Sequence, residues 1–160
     1  MKELVLMRHG LALSALEPGL GGDAGRKLSR DGEVQIKASS KRLKELGFFP
    51  GVIISSPFLR AIETADIAAE HFPAAGRAVV PALVSPVSLS GLLSAITAAA
   101  GKEPSVLVIG HQPTLSSLCG LLLKSDGPPF SAGSFAYVKF SGGAAHEKAE
   151  LSDFFAPEPI

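Results

Sequence analysis

The chain has 160 residues, 46% of them hydrophobic and 19% charged, which fits a globular protein with one core and excludes a disordered or collagen-like chain. Fifteen basic residues balance fifteen acidic ones, so no net field draws the chain to nucleic acid or to an anionic membrane. The single cysteine, Cys119, excludes an intrachain disulfide and suits a reducing compartment.

No run approaches the roughly 20 apolar residues needed to span a bilayer. The N-terminus lacks the basic start, apolar stretch and small-residue site of a secretory signal. The expected location is the cytoplasm, with neither membrane nor nucleic acid as partner.

In chain order, Leu4-Val5-Leu6-Met7 reads as a buried parallel strand. Residues 11–27 are rich in Gly, Ala and Leu and read as a long functional loop. Ser29 is placed to cap a helix, with Ile36, Ser39, Leu43 and Leu46 on its inner side and Gly47 at its end. Val52-Ile53-Ile54-Ser55 reads as the next strand. Ser56 is expected to cap, and Pro57 to open, a helix that runs to about His71. Ala78-Val79-Val80 reads as a short strand and Ser88 to Ala100 as a helix. Ser105 to Ile109 is the clearest strand. A helix ending near Lys124 follows Pro113, then a loop over 125–133. Phe135 to Phe140 alternates as a strand, Ala149-Glu150-Leu151 reads as the last one, and the tail after Phe155 is expected to be loose. Repeated strand-then-helix units predict an α/β sandwich with a mostly parallel sheet. Cys119, in an apolar run, is expected to be buried packing.

Ligands in such folds bind beyond the carboxyl ends of the strands. Three strands end there in polar residues: Arg8-His9-Gly10, Ser55-Ser56-Pro57 with Arg60 one turn on, and Gly110-His111. Two forked, permanently charged guanidiniums suit a tetrahedral anion. The helix starts after Pro57 and Pro113 add free N–H groups of the same sign. No Asp, Glu or Cys accompanies the histidines at ligand spacing, so a metal site is not expected. A neutral imidazole beside arginines is a competent nucleophile toward phosphorus.

Four segments carry a family resemblance. Leu6-Met7-Arg8-His9-Gly10 resembles the Arg-His-Gly signature of the histidine phosphatase superfamily, whose fold is phosphoglycerate-mutase-like. Leu28-Ser29-Arg30-Asp31-Gly32 is similar to its Leu-Thr-x-x-Gly helix start. Ser55-Ser56-Pro57-Phe58-Leu59-Arg60-Ala61-Ile62-Glu63-Thr64-Ala65 matches its Ser-Ser-Pro-x-x-Arg-Ala-x-x-Thr-Ala segment, and Val108-Ile109-Gly110-His111-Gln112-Pro113 its second histidine motif. The short length and the Gly-His-x-Pro form resemble the small SixA-like phosphohistidine phosphatases most closely. The resemblance implies a three-layer α/β/α sandwich forming one domain over residues 1–160. It implies that His9 becomes phosphorylated, that Arg8, Arg60 and His111 form a catalytic phosphate pocket able to hold phosphate or sulfate, and that no metal or cofactor is needed. Ser14, in the loop after His9, is a further expected phosphate contact.

One part of the pattern is missing. Alkoxide leaving groups need a proton, and many superfamily members place a carboxylate just after Arg-His-Gly or in mid-chain. Here those places read Leu11-Ala12-Leu13 and Val80 to Pro86. Glu17 and Asp23, in the loop, are the remaining candidate acids, and Glu63 is expected to pair with a basic neighbour or water instead. The absence favours phosphohistidine on another protein as substrate, since imidazole departs readily with a proton from solvent. A phosphatase for small phosphate monoesters, a phosphoprotein-binding module without catalysis, and a mutase are the rival readings. Lys37, Lys41, Arg42 and Lys44 read as a solvated helix face, with docking of an acidic partner as the alternative.

Overall fold

The computed structural model describes residues 1–14, 22–142 and 148–159. Six strands form one sheet in the order β3-β2-β4-β1-β5-β6: β1 (Glu3–Arg8), β2 (Val52–Ser55), β3 (Gly76–Val79), β4 (Ser105–Gly110), β5 (Phe135–Ser141) and β6 (Lys148–Phe155). The first four are mutually parallel, β5 pairs antiparallel with β1, and β6 pairs antiparallel with β5. Four helices cover the sheet: α1 (Arg30–Glu45), α2 (Leu59–His71), α3 (Leu89–Ala100) and α4 (Thr114–Leu123).

Side chains alternate across a strand, and β1 divides accordingly. Leu4 and Leu6 pack with Ile54, Val108, α3's Leu92 and Ile96, and α4's Leu115 and Leu118. Val5 and Met7 pack on the opposite face with Ile53, Leu107, α1's Ile36 and Leu43, and α2's Ala61 and Ala65. The result is the expected α/β/α sandwich, and Cys119 is buried in it. Among the described residues, no helix is long and apolar enough to cross a membrane.

Helix α1 begins as its sequence predicts, with Ser29 Oγ accepting from the Gly32 amide at 3.0 Å. It ends in a Schellman motif, in which Phe48 N–H reaches the Leu43 carbonyl and Gly47 N–H the Lys44 carbonyl. Gly47, at φ +79°, lies one residue beyond the cap position.

The structure corrects three readings. Helix α2 starts at Leu59 rather than Pro57, and its cap residue Phe58 has no side-chain cap because its ring carries no polar atom. Strand β6 is much longer than Ala149-Glu150-Leu151, because pairing along all of β5 satisfies a polar strand that lacks an apolar signal. The tail is anchored: Pro157 is buried, within van der Waals reach of Gly133. The predicted loop also has internal order. Ala12 bridges Leu28, and Asp23–Gly25 forms a 3₁₀ turn.

Candidate active site

Register decides what meets at the sheet edge. Arg8 lies opposite Gly110 and Ser55 opposite Ile109, so β1, β4 and β2 end side by side. His9, His111 and Ser56 therefore emerge as neighbours; His9 and His111 line a cleft of about 180 Å³ together with Arg8, Arg60 and Arg26, and Ser56 is fully buried. The two imidazole centroids are 5.1 Å apart. His9 and His111 are each 8% exposed and Arg60 is 6% exposed, so Arg60 does not face solvent as a first-turn arginine usually does.

Backbone and side-chain contacts fix His9. Its Nδ1 lies 2.7 Å from the Gly10 carbonyl. A carbonyl only accepts, so Nδ1 carries the proton and Nε2 keeps its lone pair. Arg60 Nε donates to that Nε2 at 3.3 Å. Burial, followed by the charges of His111, Arg60 and Arg8, outweighs the Gly10 bond and pushes the His9 pKa down to about 3. Burial and then Arg60 push His111 down to about 4. Both rings are neutral near pH 7.

The surrounding motif residues are struts. Thr64 Oγ1 accepts from the Gly10 amide at 3.2 Å and donates to the Arg60 carbonyl at 2.7 Å, tying β1's end to α2. Gln35 Oε1 accepts from the Leu11 amide. Gly10 and Gly32 abut, and a Cβ on Gly10 would sit 2.7 Å from the Gly32 carbonyl oxygen, so the helix start can approach the His9 loop only without side chains there. Glu63 accepts from the Leu28 amide at 3.0 Å rather than pairing with a basic side chain. Arg8 Nη1 donates to the Phe130 carbonyl at 2.9 Å. Arg8 Nε and His111 Nδ1 are buried polar atoms without a hydrogen-bond partner among the described residues. An anion between the two arginines would suit such atoms.

The mouth of the cleft differs from expectation. Asp23 reaches the site, but as a base-paired anion rather than an acid. Arg60 Nη1 donates to its carbonyl at 2.7 Å, and Nη2 lies 3.3 Å from Oδ2. Arg26 holds Oδ1 at 3.2 Å and the Leu13 carbonyl at 2.7 Å. Desolvation opposes ionisation, but the hydrogen bonds and charges of Arg26 and Arg60 outweigh it and hold the Asp23 carboxyl below its ordinary range. Ser14 is exposed and does not line the cleft. Glu17 lies outside the described residues. No group of three potential metal-ligating side chains occurs among the described residues. A wider depression of about 890 Å³ beside α4, lined by residues such as Ser116, Leu121 and Asp126, contains neither histidine.

Sequence reasoning missed Asp23 as a partner of Arg60, Arg26 as a partner of Asp23, the Phe130 carbonyl, and the work of Ser56, Gln35 and Thr64. Thr64 and Ser56 lay inside a matched motif, which was the available signal. A backbone carbonyl 122 positions from Arg8 leaves no trace in the sequence.

Known proteins share this arrangement of elements. The SixA protein of Agrobacterium tumefaciens superposes with a TM-score of 0.82 at 22% identity, covering 98% of each chain. A protein histidine phosphatase SixA complexed with tungstate superposes with a TM-score of 0.79 at 25% identity, covering 97% of each. An uncharacterised protein of Picosynechococcus sp. is 34% identical over 118 residues, 71% of this chain and 68% of its own. The model of the histidine phosphatase superfamily (branch 1) matches residues 4–81, a span that contains Arg8, His9, Gly32, Ser56, Arg60 and Thr64. With the paired histidines and arginines at one sheet edge, these matches establish that the chain belongs to the histidine phosphatase superfamily.

Proposed function

We propose that this chain is a cytoplasmic, metal-independent phosphohistidine phosphatase that removes the phosphoryl group from a histidine on another protein. Histidine-based phosphatase chemistry comes with the family, and the substrate is our inference. One observation carries it: a neutral His9, whose unprotonated Nε2 accepts from Arg60 Nε at 3.3 Å, stands in a cleft whose reachable carboxylate, Asp23, is held ionised by two arginines.

His9 Nε2 attacks phosphorus in line, forming a P–N bond while the substrate's own P–N bond breaks. The departing imidazole nitrogen takes its proton from solvent. Arg8, Arg60 and His111 hold the equatorial oxygens, where charge stabilisation contributes most. Water then attacks phosphorus, the His9–phosphorus bond breaks, and inorganic phosphate leaves with His9 neutral again. An alkoxide would need a proton donor that Asp23 does not supply. Size favours the same substrate. Pockets that enclose small molecules usually measure about 300–1,000 Å³, whereas this cleft measures about 180 Å³ and suits a phosphoryl group presented on a side chain.

The test compares turnover of a phosphohistidine-bearing carrier protein with turnover of an unactivated alkyl phosphate such as glycerol phosphate. We expect faster turnover of the carrier, with an acid-labile, base-stable label on the enzyme that His9→Ala abolishes. Faster monoester turnover would overturn the substrate, and a label surviving His9→Ala would overturn the nucleophile.

A further inference from the structure

Ser56 is fully buried, so its hydroxyl proton needs an acceptor within the protein. Two polar groups touch its Oγ. The Phe58 amide, at 3.3 Å, can only donate. His111 Nε2 lies at 2.6 Å and is the acceptor among them. The arrangement that gives the hydroxyl proton an acceptor has the amide donating to Oγ and the hydroxyl donating to Nε2. A neutral His111 then carries its proton on Nδ1, one of the buried atoms without a partner among the described residues.

Packing supports the same orientation. The Phe58 ring meets His111 edge-on at 5.2 Å, and the Arg60 guanidinium lies over that ring at 4.9 Å from its centroid. Phe58 thus contacts both side chains, and Ser56 supplies the directional bond that an aromatic contact lacks. A neutral imidazole donates from one nitrogen only, so its tautomer decides whether a phosphoryl oxygen finds a donor or a lone pair.

We propose that Ser56 is a positioning residue whose hydroxyl locks His111 in the Nδ1–H tautomer, so that Nδ1 donates to a phosphoryl oxygen during transfer. This rests on His111 facing the phosphoryl group, as proposed above.

The experiment reads the His111 ring nitrogens by NMR on ¹⁵N-histidine-labelled protein without substrate, together with kcat and KM for phosphoramidate. The unmodified protein is expected to show the His111 proton on Nδ1. Ser56→Ala should give mixed tautomers and a kcat loss on the order of 10- to 100-fold, the usual effect of removing the outer partner of a functional imidazole, with KM changing much less. Ser56→Thr, which keeps the hydroxyl, should restore the single tautomer and most of kcat. A proton on Nε2 in the unmodified protein would overturn the proposal even if Ser56→Ala failed to fold. A Ser56→Ala protein with an unchanged tautomer and kcat but a lower Tm would overturn it too, leaving Ser56 a purely structural residue. Failure of the phosphatase reading is separable, because the tautomer is read without turnover while the His9 label is not.

Discussion

The floor of the cleft, built from His9 and His111 with Ser56 bonded to His111, is fixed by the register of three paired strands, whereas its mouth, built from Asp23 and Arg26, is held by side-chain bonds across a loop. Fully burying one Leu or Ile contributes about 1.5–3 kcal/mol, and the floor stands on many such residues. The mouth depends on ion pairs in which Asp23 is 58% exposed, and pairs of that kind contribute about 0–1 kcal/mol each. The difference assigns separate tasks: the sheet holds the reacting groups, and the loop sets the charge that an arriving anion meets.

Arg60 spans both regions, and removing it is the severest way to break the comparison. Arg60→Ala is expected to lower kcat/KM by about 10²–10³-fold, as loss of a transition-state oxyanion donor does. Steady-state kinetics on the carrier protein checks this, and a loss under tenfold would move the weight to Arg8.

A pH series probes the floor alone. The folded values of about 3 for His9 and about 4 for His111 lie below the ordinary imidazole value near 6.5. Between these limits the unfolded chain binds protons that the folded chain does not, so stability falls as pH drops from about 6.5 to about 3. Denaturation midpoints between pH 7 and pH 4 should therefore fall less steeply for His9→Asn than for the unmodified protein. The acid limb of kcat/KM attributable to the enzyme should lie near pH 4, not pH 6.5. An enzyme limb at 6.5 would mean a floor far wetter than the one described.

The smallest effect belongs to the mouth. Asp23→Asn removes a charge that competes for Arg60, and inorganic phosphate should bind more tightly by up to about fivefold, the equivalent of about 1 kcal/mol. Calorimetry measures this. Weaker binding would place Asp23 on the side of the ligand and erase the distinction between floor and mouth.

The floor was the legible part. Apolar runs that end in Arg8-His9, Ser55-Ser56 and Gly110-His111 announce buried strands with polar ends, and a parallel sheet brings such ends together. The mouth was not legible, because Asp23 meets Arg60 across 37 positions with no periodicity to signal the pairing. Ser56 was legible as a polar residue at a strand end but misread in its use, since local capping and a bond to His111, 55 positions away, look alike in sequence. Strand β6 was under-read for a related reason: its partner supplies the stability that its own composition lacks.

The anchored tail has a practical consequence. Gly133 N–H bonds the carbonyls of both Arg8 and His9, and the Gly133 carbonyl is held by Ser39 at 2.6 Å. Pro157 packs against this same glycine. An affinity tag or truncation that disturbs residue 157 therefore pulls on the peptide units beside His9.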